Sequence, residues 1–221
     1  MRLERAVREH LGFVLLGVPD KAQLAVLERR YWKDQQLQSD IRRFFKKERG
    51  PLTEGQFNAV MVRAHREAWP ELLYTAWVRH RISNDLMGRR VGEAFAFARQ
   101  PDTLLAASKW LTLFKAAGFR VDGVPAVRPE GPRQVWRGSA PEHVRRMSWT
   151  PLREVAQAYA RGEGTGAPGA GRVYTAFVEP SRVLAINDKV LLNPCETEWV
   201  IDARGLTISE DRQLVATDDA A

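Results

Sequence analysis

The hydrophobic period of this chain changes once. Up to Gly118 the apolar residues recur at three- and four-residue steps, as in Leu3, Ala6, Val7, Leu11 and Val14, which is the spacing of a helix face. From Gln134 the apolar runs become short and rich in β-branched and aromatic residues: Val135-Trp136, Val173 to Val178, Val183 to Ile186, Val190 to Leu192 and Trp199 to Ile201. Gly, Pro, Asn and Asp bound them, which marks strands. Few helical stretches interrupt the strands, so the expected fold is α+β, an all-helical N-terminal region followed by packed sheets with short helices.

Punctuation divides the helical part. Gly17-Val18-Pro19-Asp20 ends a first helix, Ala22 to Tyr31 reads as a second, and Ser39 to Arg49 as a third that stops at Gly50-Pro51. Thr53 stands three residues before Gln56, the spacing of a capping box, and starts a helix to about His65. Trp69-Pro70-Glu71 leads a helical stretch from Leu72 to about Gln100; Pro101-Asp102-Thr103 restarts the pattern as far as Ala117, and Gly118 ends it. The expected domains are a basic helical domain over 1–118, a linker over 119–133 opened by its Pro and Gly residues, a strand-rich core over 134–210 and a tail over 211–221.

Composition narrows the classes. Hydrophobic residues at 44% with 28% charged exclude a disordered chain. A single cysteine, Cys195, excludes an intramolecular disulfide and suits a reducing compartment. The longest apolar candidate, Leu11 to Val18, is far too short for a membrane span, and no small-residue cleavage site follows it. Action in the cytoplasm, with no membrane partner, is therefore expected.

The net charge of +7 belongs to the front of the chain: 22 Lys/Arg face 14 Asp/Glu in residues 1–125, and 12 face 13 in the remainder. An acidic partner such as nucleic acid is one reading; a solvated helix face is the other. Arg42-Arg43-Phe44-Phe45-Lys46-Lys47 leaves the same choice, since interleaved cations and aromatics hold single strands but paired aromatics also anchor cores.

Three pieces of the second half carry chemistry: Val135-Trp136-Arg137-Gly138-Ser139, Ser148-Trp149-Thr150 and Glu196-Thr197-Glu198. An Arg at a strand end offers a planar fork for a phosphate. A Ser hydroxyl can hold a neighbouring group, and a Glu opening a strand can stabilise positive charge on a sugar ring as a glycosidic bond breaks. Taken singly, these residues also fit a strand-end salt bridge, a helix cap and two solvent-facing carboxylates.

In this order, and with the helix-like Glu154 to Ala160, the Gly-rich loop Gly162 to Gly171 and the run Arg172 to Ala185 between them, the chain resembles the Arg-Ser-Glu class of ADP-ribosyltransferases. The resemblance covers about residues 107–207 and begins at Leu111 to Phe119, which is similar to the lead-in of phage and bacterial members. It implies an ADP-ribosyltransferase-like two-sheet core and transfer of ADP-ribose from NAD, consumed as substrate, with no metal. It implies that Arg137 grips the nicotinamide-side phosphate and ribose, that the backbone of Gly138 meets the carboxamide, and that Ser148 orients the catalytic Glu198. Thr150 would brace the strand end beside the cofactor.

Trp149 departs from the Ser-Thr-Ser pattern and is expected to pack beneath the site. Glu196, in the Glu-x-Glu arrangement, implies arginine on a host or intracellular protein as acceptor. Asn193, Pro194 and Cys195 then fall in the target-selecting loop, and the Gly-rich loop in the place of a lid. The competing class is a binding module in which the same fold is inactive and the basic helical half meets nucleic acid or a phage structural partner.

Overall fold

The structure is a computed structural model that describes Gln36, Ser39, Arg43, Phe45 and residues 50–64, 66–98, 101–163, 171–189 and 196–211. The chain divides into two compact units, 1–82 and 83–221.

In the first unit, α1 (Glu54–Arg63) begins at its capping box: Gln56 N donates to Thr53 Oγ1 at 3.3 Å and Thr53 N donates to Gln56 Oε1 at 2.9 Å. Pro70 lies in the first turn of α2 (Trp69–Val78), and the Trp69 indole N–H reaches back to Met61 O at 2.8 Å. Phe45 is buried beneath the Arg81 guanidinium, 5.6 Å from the ring centre, so this aromatic of the basic segment serves packing. Arg43 is exposed, and the rest of Arg42 to Lys47 lies outside the described residues.

The helix expected to run from Leu72 to Gln100 is two helices. His80 adopts φ 54, and Ser83 caps α3 (Asn84–Ala96) by accepting from Leu86 N at 3.1 Å. The apolar period continues across the break, but Ser83 followed by Asp85 is a start signal that competes with it.

The second unit opens with α3, α4 (Pro101–Leu104) and α5 (Ala107–Ala117), which ends at Gly118 with φ 69. Phe95 of α3 meets Trp110 and Phe114 of α5 edge to face, with ring centres 5.1 and 5.6 Å apart. Both helices pack on strand β6 (Val183–Asn187). The domain boundary expected at 118 therefore falls inside a compact unit, because the partner of these helix faces is a strand some seventy residues later.

The stretch expected as linker also joins the sheet. β1 (Arg120–Val121) turns through Asp122-Gly123 into β2 (Val124–Pro125), and β1 pairs parallel with β6. Asp-Gly is a tight hairpin signal, and both residues take positive φ here.

The remaining elements are β3 (Arg133–Ser139), β4 (Ser148–Trp149), α6 (Arg153–Ala160), β5 (Arg172–Val178), β7 (Glu198–Ile201) and β8 (Ser209–Glu210). They complete an α+β unit with two sheets, ordered β2-β1-β6-β7-β4 and β3-β5-β8. Trp136 and Thr150 join the sheets through paired backbone bonds of 2.7 and 2.9 Å. Val135, Trp149, Ala176, Val178, Val183, Trp199 and Ile201 form the buried core. Trp149 packs as expected, its indole N–H donating to Arg146 O. Val190 to Leu192, expected as a strand, lies outside the described residues. Among the described residues no helix is long and apolar enough to cross a membrane.

Candidate functional site

β7 lies between β6 and β4, and that order assembles the site. Glu198 opens β7 opposite Asn187, the last residue of β6, while Ser148 opens β4 on the other side. Each oxygen of the Glu198 carboxylate takes one neutral donor: Ser148 Oγ donates to Oε1 at 2.6 Å, and Asn187 Nδ2 to Oε2 at 2.8 Å. Burial raises the Glu198 carboxyl above the ordinary carboxylate range, against the opposing pull of these two bonds and of the Arg137 charge; the neighbouring Glu196 charge adds to the rise.

Arg137 reaches the same place from the other sheet. Its Nη1 donates to the backbone carbonyl of Ser148, and its Nε to that of His143 at 3.1 Å. Arg137 thus holds the backbone of the residue whose side chain holds Glu198. Burial, then the nearby Arg146 cation, lowers Arg137 to about 10, with Asp102 and Glu198 pulling the other way. It remains a cation at neutral pH. Asp102 itself is raised by burial and pairs with Arg146 at 3.4 Å. Two of the three guanidinium nitrogens serve the protein, leaving Nη2 as the one with no acceptor among the described residues.

Glu196 precedes the strand. Tyr159 of α6 donates its hydroxyl to Glu196 Oε2 at 3.1 Å, and burial followed by the Glu196 charge pushes Tyr159 up to about 12. Thr197 Oγ1 donates to Asp188 Oδ1 at 2.8 Å, and Asp122 Oδ1 accepts from Asp188 N and Lys189 N. These bonds fasten the near ends of the segment containing Asn193, Pro194 and Cys195, which lies outside the described residues, as does 164–170 of the Gly-rich loop.

Gly138 has a packing reason to be glycine, apart from the cofactor approach expected of it. A Cβ there would lie 1.8 Å from Ala156 O and 2.5 Å from Ala160 N, so the residue admits α6 against β3. Thr150 is buried, and its Oγ1 accepts from Leu152 N at 3.2 Å.

The structure brings Arg137, Ser148, Glu196 and Glu198 together and adds Asn187, Tyr159 and Asp102. Asn187 reads in sequence as the start of a loop. Its signal is a lone amide closing an apolar run. No family model, curated protein or solved structure matches the chain.

Proposed function

We propose that this chain is an NAD-dependent mono-ADP-ribosyltransferase with an ADP-ribosyltransferase-type core. It breaks the bond between nicotinamide and ribose and passes ADP-ribose to an arginine side chain of a protein. The observation that carries this reading is the linked set Arg137, Ser148 and Glu198, drawn from three strands of two sheets.

Glu198 is the group that meets positive charge on the ribose as nicotinamide departs. Fixed in a desolvated place by two donors, its carboxylate needs no reorganisation when that charge develops. The Nη2 edge of Arg137 is the donor offered to the phosphate beside that ribose. Glu196, held by Tyr159, accepts the N–H groups of the incoming guanidinium and orients its nitrogen towards the anomeric carbon. The basic front half is the docking surface for the target.

Release of nicotinamide by the purified chain tests this, with labelled NAD, a cell lysate as acceptor source and Glu198→Gln alongside. Label on protein arginine, with release reduced on the order of 100-fold or more in the variant, is the expected result. No nicotinamide in any mixture overturns the proposal and turns attention to a binding role for the basic half.

A further inference from the structure

α3 carries a seat for the amide that holds Glu198. Asn187 is 1% exposed. Its Nδ2 donates both to Glu198 Oε2 at 2.8 Å and to Gly92 O, in the middle of α3, at 3.3 Å. A Cβ on residue 92 would lie 2.5 Å from Asn187 Oδ1. The hydrogen that glycine carries in its place points at that oxygen, which is buried and takes no hydrogen bond among the described residues. A Cα–H···O contact is what remains for it. Both ends of the amide therefore rest on one residue of one helix.

We infer that Asn187 is a positioning residue for Glu198 and that Gly92 of α3 is its seat. The inference rests on the transferase reading for its effect on turnover, though not for its effect on Glu198. The chemistry of the amide explains the choice of residue. Nδ2 faces two acceptors, a carbonyl and a carboxylate, so the position requires a neutral donor with two hydrogens. Aspartate at 187 has the same shape but sets acceptor against acceptor on both sides. Serine is shorter, with a single hydrogen to give. A helix remote in sequence from the three motif residues thereby fixes one of the two oxygens that the reaction uses.

Three other groups act on Glu198: Ser148 from β4, the Arg137 cation from β3 and the Glu196 carboxylate just before β7. Ser148 fixes Oε1 alone. Without Asn187 the carboxylate can swing about that single bond, and its charged form loses a donor.

Two readouts on the full chain test the inference. The first is the titration midpoint of the Glu198 carboxyl carbon by NMR on glutamate-labelled protein, assigned by its loss in Glu198→Gln. The second is nicotinamide release from NAD, with kcat and KM separated. Asn187→Ala and Gly92→Ala, each verified to be folded by circular dichroism, are expected to move the Glu198 midpoint upward. They are also expected to lower kcat by about 10- to 100-fold for Asn187→Ala, and less for Gly92→Ala, with KM for NAD changed by less than about threefold. Asn187→Asp, which keeps the shape, is expected to turn the Glu198 curve into a two-step titration coupled to the new carboxyl.

An unmoved Glu198 midpoint in folded Asn187→Ala, or a single unperturbed titration in Asn187→Asp, overturns the inference. A wild-type chain that shows the coupling but releases no nicotinamide overturns the proposed function and leaves the positioning role standing.

Discussion

The hydroxyl of Ser148 lies 2.6 Å from Oε1 of Glu198, across fifty residues of chain. The two are not opposite each other in the sheet, since Ser148 pairs with Val200. This diagonal reach across an antiparallel pair sets the carboxylate at the mouth of the strands and helps keep it ionised. Ser148→Ala removes that donor while Asn187 stays, so the Glu198 carboxyl rises further. The expected outcome is a fall in kcat of about 10-fold and an acid limb of the pH–rate profile displaced to higher pH. An unmoved acid limb in an active variant contradicts it.

Holding Glu198 in a half-buried, desolvated place has a cost to the fold. Because burial raises its carboxyl, the folded chain retains the proton more tightly than the unfolded chain does. Its contribution to stability is complete below the unfolded value, 4.5 for an ordinary glutamate, and is lost as pH rises through the folded midpoint above it. Glu198→Gln has no charge to bury. Melting curves of the two proteins are expected to coincide near pH 4 and separate towards pH 7 with the variant higher, by about 2–4 °C for each kcal/mol of burial cost removed. Curves that stay parallel across this range contradict the assignment.

Much of this site was legible because its chemistry borders short apolar runs, although Arg137, expected at a strand end, lies inside β3 with two more paired residues after it. Arg137, Ser148 and Glu198 each terminate or open an apolar run, and strand runs are local patterns. Thr53, Pro70 and Gly118 were legible for the same reason: a cap or a helix stop is written within a few residues. Asn187 was not, because an amide after Ile186 looks like the first residue of a loop until α3 is known to lie against it. Nor was the membership of α3 and α5, whose buried faces have a helix period whatever they pack on. Gly138 was legible only in part. The need for a glycine was seen, but the neighbour that imposes it is α6, twenty residues on, and close approach of a backbone has no local mark.

Gly138 gives a direct test of that packing. A methyl group at this position meets the Ala156 carbonyl at 1.8 Å, backbone that a side-chain shift cannot relieve. Gly138→Ala must push α6 off β3, and overpacking of this kind costs about 1–3 kcal/mol. A melting temperature lower by about 2–12 °C is expected, together with a weaker Tyr159 to Glu196 contact. A variant as stable as wild type places α6 elsewhere.

Tyr159 separates the two halves of the proposed reaction. Its hydroxyl holds Glu196, the carboxylate assigned to the acceptor, whereas Glu198 is held by Ser148 and Asn187. Tyr159→Phe keeps the aromatic ring on α6 and removes its hydroxyl's bond to Glu196. Transfer to an arginine acceptor is then expected to fall by about 3- to 10-fold, the worth of one partly exposed hydrogen bond to a charged group, while nicotinamide release in the absence of acceptor stays within about twofold. The ratio of transfer to release, measured on the same preparation, carries the result. A parallel fall in both rates means that Tyr159 acts on Glu198 as well, and an unchanged ratio means that Glu196 does not need the hydroxyl to receive the guanidinium.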